Sequence, residues 1–298
     1  MRNAFIAELL AAAHDNANIA LVVGDLGYNV VEPFAESFPD RFFNAGVAEQ
    51  NMMGLAAGLA SEGMHVFVYS IANFPIFRCA EQLRNDVDYH KLPVTVVSVG
   101  GGLAYGNLGY SHHAVQDYAL MRVLPNMVIA APGDPNEVRG CMRYLLSNPG
   151  PSYLRLGKAG ELLIHDYVPE LEPGRWIPVH QPTDSTDQIL LTTGGVLELA
   201  NHWIKSEQAA GYSLYSLPIW GIRDKSIQVE QVAKWKNVTT VEDHLIDGGF
   251  GSWFLEALST QPELLVRMKL RGLDPLVCGL VGQQDHLNVL GGLDRDNF

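Results

Sequence analysis

Residues 42–60 read FFNAGVAEQNMMGLAAGLA. The first five are strand-like and every residue from Val47 to Leu59 suits a helix, so a strand feeds into a helix with Glu49 in its first turn. Behind the acid come Gly54, Ala56, Ala57, Gly58 and Ala60. Side chains this small at spacings of three and four let another backbone approach closely, so the helix is expected to pack against a neighbour, such as a symmetry mate. A first-turn acid is favoured by the helix dipole whatever its role. Position alone therefore assigns Glu49 no function, and a carboxylate among small and apolar residues needs another explanation.

Outward from this unit, short β-rich runs alternate with helical patterns at 19–24, 66–70, 94–100, 127–132 and 152–156. Several lack polar alternation, as strands buried on both faces do, which predicts a parallel sheet with helices on each side. From Ala159 to about Asp187 the chain turns irregular, with Pro169, Pro173, Pro178 and Pro182, and reads as a connecting segment. Beyond it, QILLTTGG (188–195) is a strand running into glycines and VLELANHWI (196–204) a helix, with further strands near 212–217, 238–242 and 265–270. The restart of the alternation predicts a second, smaller α/β domain.

Composition narrows the function. A net charge of −13, with no basic run longer than a pair, repels phosphate backbones, so nucleic acid is not an expected partner. No apolar run approaches the ~20 residues of a membrane span. The start, MRNAFIAELL, lacks the basic stretch, apolar core and cleavage site of a signal peptide and suits an amphipathic helix, so a cytoplasmic location is expected. Cys79, Cys141 and Cys278 are scattered and odd in number, which suggests neither a disulfide framework nor a zinc site, and no metal ligand is assigned within the chain.

Four phrases, in order, carry a resemblance: NAGVAEQNMMGLAAGLA (44–60), LPVTVVSVGGG (92–102), SHHAVQDYALMRVLPNMVIAAPGDPNE (111–137) and GPSYLRLGK (150–158). Together they resemble the pyrimidine-binding domain of transketolases and 1-deoxyxylulose-5-phosphate synthases. VEDHLIDGGFGSWFLEAL (241–258) resembles, more weakly, the C-terminal domain of that family. The resemblance implies an α/β fold of two layered domains: a parallel-sheet thiamine diphosphate pyrimidine-binding domain over 1–160, a linker over 161–187, and a smaller mixed-sheet C-terminal domain over 188–298.

It also implies roles. In the family, the acid matching Glu49 meets the N1′ nitrogen of the aminopyrimidine of thiamine diphosphate and favours the imino tautomer, which removes the C2 proton of the thiazolium. A dry, fixed carboxyl group suits that task and accounts for its apolar setting. Within YSIANFPIFRCAEQLRN (69–85), Phe74 is the best match for the aromatic ring stacked on the aminopyrimidine and Phe77 the alternative, although an apolar aromatic beside a proline turn also suits a core. Asp25, in Gly24-Asp25-Leu26, falls on the strand end that faces the cofactor, and Asn29 nearby is assigned to the substrate. His112 matches a histidine that reaches the substrate, while His113 stands where glutamine is commoner; adjacent histidines at a helix mouth can equally be capping or solvent-facing residues.

Some family groups differ. Leu108 replaces an acid that binds a substrate hydroxyl, and Gly100 replaces a phosphate-contacting histidine. Lys158 matches a phosphate-binding arginine but lacks its bidentate fork, and Arg2 matches another phosphate-side arginine. These changes predict a wider channel and a bulkier acceptor, such as an activated sugar. The Gly-Asp-Gly and Asn-Asn motifs that hold a divalent cation against the diphosphate are not found, so Mg2+ or Ca2+ is expected to be held mainly by a partner.

The chain thus reads as a complete subunit equal to the C-terminal half of a transketolase, inactive alone and joined by an N-terminal, diphosphate-binding subunit, most simply in an α2β2 heterotetramer. The implied reaction moves a two-carbon ketol unit from a ketose donor to an aldehyde acceptor. Two alternatives stay open: a decarboxylating subunit like deoxyxylulose-phosphate synthase or the β chain of a 2-oxo acid dehydrogenase, and a non-catalytic paralogue.

Overall fold

In the structure, a computed structural model that describes residues 1–184, 187–206, 208–296 and 298, the β-branched runs form the centre of a sheet. Strands β1 (Ile19–Val23), β2 (Phe42–Asn44), β3 (His65–Ile71), β4 (Val94–Val99), β5 (Val128–Ala130) and β6 (Ser152–Leu156) pair in parallel, in the order β5-β6-β4-β3-β1-β2. Every residue of β1, β4 and β6 is buried, which is why these runs lack alternation. On one face Met52, Met53 and Ala56 of the Glu49–Ser61 helix meet Val22, Val66, Val68 and Val96. On the other, Phe5 and Leu9 of the Arg2–Asp15 helix and Val138, Cys141 and Leu145 of the Pro135–Ser147 helix meet Leu21, Phe67 and Val97.

The second half adds β7 (Ile177–His180), β8 (Gln188–Thr192), β9 (Ser213–Ser216), β10 (Ile219–Gly221), β11 (Asn237–Leu245) and β12 (Met268–Leu273). Its sheet runs β12-β11-β8-β9-β7 and is mixed, because β7 alone is antiparallel to its neighbour. Three features depart from the pattern read in the sequence. Residues 177–180 fall in the segment expected to be irregular, yet they form the edge strand β7, where Pro178 can sit without interrupting a central ladder. Ser185 and Thr186 of that same segment lie outside the described residues. Strand β10 leaves the second half and pairs antiparallel with β5, Ile219 opposite Ala130, so the first sheet has seven strands. Residue 265, the expected start of a strand, instead ends a helical turn, Pro262–Leu265.

A buried arginine fixes the two sheets together. Arg155 of β6 donates from Nε to Asp117 Oδ2 at 2.7 Å, from Nη1 to Asp243 Oδ1 of β11 at 2.6 Å, and from Nη2 to the Ala114 carbonyl at 2.7 Å. Tyr153 donates to the same Asp117 oxygen at 2.6 Å, and the Tyr118 ring lies 4.5 Å from the guanidinium. A charge this deep is stable only with such partners. Among the described residues no helix is long and apolar enough to cross a membrane.

Candidate active site

The site begins where β1 and β2 end on the same edge. The chain leaves β2 through Gly46 in the left-handed region, φ +71°, and enters the Glu49–Ser61 helix at the acid itself. Glu49 is 5% exposed. Its backbone neighbour across the strand end is Gly24, where an added Cβ would stand 3.3 Å from Met52 Sδ and 4.0 Å from Glu49 Cγ. Among the described residues one side chain reaches the carboxylate: Arg78 Nη1 donates to Glu49 Oε1 at 2.8 Å, from a guanidinium that is 52% exposed. On the outer face of the helix, Gly54 and Gly58 open onto free space.

A second stretch meets the first through Arg78. After β3, Asn73 Nδ2 donates to the His113 carbonyl at 2.6 Å and to the Ser111 carbonyl at 3.3 Å, which ties the 110–113 turn to the short helix Phe74–Phe77. The Arg78 guanidinium lies 4.5 Å from the Phe74 ring centroid, and His112 meets that ring edge-on at 5.2 Å. A groove of about 370 Å³ opens here, lined by Phe74, Phe77, Arg78, Tyr110, Ser111 and Gln116. A second, beside Val47, Glu49, Gln50 and Asn51, shares Arg78 with it. Burial lowers the pKa of His112 below the usual imidazole range, with His113 and Arg78 acting the same way.

The line of side chains continues past His112 to Tyr105, ring centroids 6.3 Å apart, and on to the Lys158 ammonium, 5.0 Å from the Tyr105 ring. Arg2 lies against the Tyr69 hydroxyl and within electrostatic reach of Tyr105, and its buried Nε has no hydrogen-bond partner among the described residues. Glu49, Phe74, His112 and Lys158, four residues singled out in the sequence, thus form one succession, with Arg2 at its far end and Phe77 on the groove wall.

Residues 1–160 match the family described as transketolase, pyrimidine binding domain. The chain belongs to the transketolase family. It is 34% identical to a putative transketolase C-terminal section of Methanocaldococcus jannaschii, over 100% of this chain and 93% of that protein. It is 30% identical to an apulose-4-phosphate transketolase subunit of Actinobacillus succinogenes, over 100% of this chain and 96% of that subunit. A solved structure described as a split gene transketolase, inactive beta4 tetramer, superposes with a TM-score of 0.83 at 30% identity, covering 99% of this chain and 94% of that one. The 1-deoxy-D-xylulose-5-phosphate synthase of Syntrophotalea carbinolica is 32% identical over 96% of this chain, which spans 45% of that protein. The chain is therefore a transketolase-type transferase subunit of a family that depends on thiamine diphosphate.

In this transketolase-family chain the remaining candidates lie apart from the groove. His113 is buried, its Nε2 3.4 Å from the Gly106 carbonyl. Asp25 (φ +56°) is exposed, accepts from Asn44 Nδ2 at 3.0 Å and returns its own N–H to Asn44 Oδ1 at 3.0 Å. Asn29 (φ +63°) is exposed and donates its N–H to Glu32 Oε1 at 2.7 Å. Leu108 is exposed on a turn whose Gly106 packs on Leu287 and Gly282 of the second half. Two residues of the succession were not singled out in the sequence. Arg78 stands four positions after Phe74 on one helical face, a spacing that could have marked it. Tyr105 carries no local signal, because its place depends on how the loop after β4 folds back.

These residues fit the aminopyrimidine of thiamine diphosphate. A buried carboxylate with one side-chain partner and a half-buried aromatic ring face neighbouring grooves, and the half-exposed arginine between them can swing aside at low cost.

Proposed function

We propose that the chain is the pyrimidine-binding and C-terminal subunit of a split transketolase, which moves a two-carbon ketol unit from a ketose donor to an aldehyde acceptor. The observation that carries this reading is the buried Glu49 carboxylate linked through Arg78 to the Phe74 ring. When bound, thiamine diphosphate supplies a carbon nucleophile that carries the two-carbon unit. Glu49, buried to 5% exposure, would hold a proton at the N1′ nitrogen of the aminopyrimidine. Phe74 packs on that ring, with Phe77 as a flank. His112, whose pKa burial lowers, takes a proton from a substrate hydroxyl. Lys158 and Arg2 face an anionic group of the substrate. Asp25 lies on the cofactor side of the strand end; Asn29, Leu108 and His113 line the approach for the substrate only if the partner or the substrate reshapes their loops.

The domains are 1–160 for the pyrimidine-binding unit and, because the edge strand β7 joins the second sheet, 177–298 in place of 188–298 for the C-terminal unit, joined by 161–176. The partner is an N-terminal, diphosphate-binding subunit that also holds Mg2+ or Ca2+ through oxygen ligands, and the assembly is α2β2 in the cytoplasm. Relatives described as subunits support the division between chains. A bulkier acceptor, such as an activated sugar, is supported by Leu108 alone, because the space expected to open at Gly100 is taken by the Tyr105 ring. A decarboxylating reaction is the second reading, favoured by the match to a deoxyxylulose-phosphate synthase.

The test is reconstitution with a chain bearing the Gly-Asp-Gly and Asn-Asn motifs, in thiamine diphosphate and magnesium. Ketol transfer by the pair and none by this chain alone is the expected result. Transfer by the isolated chain, or CO2 release from pyruvate by the pair, contradicts it.

A further inference from the structure

Arg78 makes two contacts with one planar group. Its Nη1 donates to Glu49 Oε1 at 2.8 Å, and its guanidinium carbon lies over the Phe74 ring, 4.5 Å from the centroid. Among the described residues its side chain has no other hydrogen bond or ion pair, and the guanidinium is half-exposed. It lines both grooves of the site and stands between them, with Glu49, Gln50 and Asn51 on one side and Phe74, Phe77 and Tyr110 on the other. The side chain thus divides a space whose two walls are the acid and the aromatic ring.

Those two contacts are the ones that the aminopyrimidine of thiamine diphosphate would make. A guanidinium and an aminopyrimidine protonated at N1′ are both planar, carry a delocalised positive charge, and present an in-plane N–H that donates to a carboxylate while the flat group lies on an aromatic face. One carboxylate oxygen and one ring face cannot serve both at once. A carboxyl group as buried as that of Glu49 is costly without a partner, and the guanidinium supplies one from within the chain.

We propose that Arg78 is an internal stand-in for the aminopyrimidine: it satisfies Glu49 and covers Phe74 until the cofactor displaces it, and so it sets the affinity of the site for the pyrimidine. This rests on the roles given to Glu49 and Phe74 in the transketolase reading above. An ion pair to a half-exposed arginine and a cation over a half-exposed ring are each weak. Together they lower the apparent affinity about tenfold without closing the site. Displacement also joins the two grooves, which brings the acid and the ring onto one cavity.

The test is calorimetric titration of thiamine diphosphate, with magnesium, into the assembled pair, comparing wild type with Arg78→Met, which keeps an unbranched stem and removes the planar cation. The Kd is expected to fall about tenfold, while that of a thiazolium diphosphate lacking the pyrimidine stays the same. An unchanged or higher Kd for the cofactor, or an equal fall for the fragment, overturns the proposal. Should Arg78→Met fail to fold with Glu49 bare, Arg78→Gln still donates to the carboxyl group but places no cation over the ring. It is expected to lower the Kd about threefold, and no change overturns the proposal as well. The single chain gives a readout without turnover: 4-amino-5-hydroxymethyl-2-methylpyrimidine is expected to bind Arg78→Met more tightly than wild type, and methylguanidinium, which returns the missing group, to reverse that gain. A gain that methylguanidinium leaves in place overturns the stand-in role. These titrations support or overturn the proposal even if the wild-type pair transfers no ketol unit, an outcome that sinks the functional reading alone.

Discussion

At the scale of single residues, the site depends on what Glu49 and His112 can do in their surroundings. His112 is partly buried beside His113 and Arg78, which holds its pKa below the usual imidazole range, so it remains a base at pH values where a free histidine is charged. The acid limb of the kcat profile should therefore lie below pH ~6.5. His112→Asn should lower kcat about 10²-fold or more and flatten that limb, as a pH series with the reconstituted enzyme would show; an unchanged limb would remove His112 from proton transfer. Glu49, Phe74 and His112 could be named as candidates from the sequence because the resemblance matched them within short phrases, and the structure brings the three into one succession. Arg78 and Tyr105 were not, since a guanidinium over a ring and a phenol in place of a Cβ are made by loops meeting in space.

At the scale of elements, one clasp couples stability to pH. Asp134 caps the Pro135–Ser147 helix by accepting from the Glu137 N–H at 2.7 Å with Oδ1. With Oδ2 it accepts from the N–H groups of Ile164 and His165, at 2.9 and 2.7 Å. His165 Nδ1 lies 3.2 Å from the same oxygen and 3.8 Å from Glu137. Burial disfavours the charge on His165, but the Asp134 hydrogen bond and the carboxylates of Glu137, Asp134 and Asp166 outweigh it and raise its pKa; the Tyr167 ring lies alongside. A raised histidine value gives stability that is complete below the unfolded pKa and lost as pH rises through the folded one. Glu137, pushed up to about 7 mainly by burial, acts in the same direction. His165→Gln should accordingly lower Tm by roughly 2–4 °C at pH 6 and by much less at pH 9. Equal losses at both values would mean that the histidine charge contributes nothing. The elements themselves were largely legible from unbroken apolar runs. Strands β7 and β10 were not, because each is three or four residues long and is defined by pairing with a distant edge.

At the scale of the whole molecule, the two sheets are held by Arg155 between Asp117 and Asp243. Arg155→Met would leave two buried carboxylates without their cation, at a cost of about 3–5 kcal/mol. The expected fall in Tm is on the order of 10 °C by calorimetry; a shift of only a degree or two would show that the sheets are held by apolar packing instead. The two-layered architecture could be read from the order of strand and helix patterns, whereas this joint could not, since its members lie 38 and 88 residues apart in the chain. The exposed Gly54 and Gly58 face, free in the single chain, is consistent with burial in the α2β2 assembly proposed above. Sedimentation of the co-expressed subunits should give two copies of each, and a stable one-to-one pair would exclude that stoichiometry.

The most direct test is calorimetric titration of thiamine diphosphate, with magnesium, into the assembled pair, comparing wild type with Glu49→Ala. The account predicts saturable binding that needs both chains and is markedly weakened by the substitution, with no ketol transfer remaining. Binding and transfer that survive the loss of the Glu49 carboxylate would contradict it.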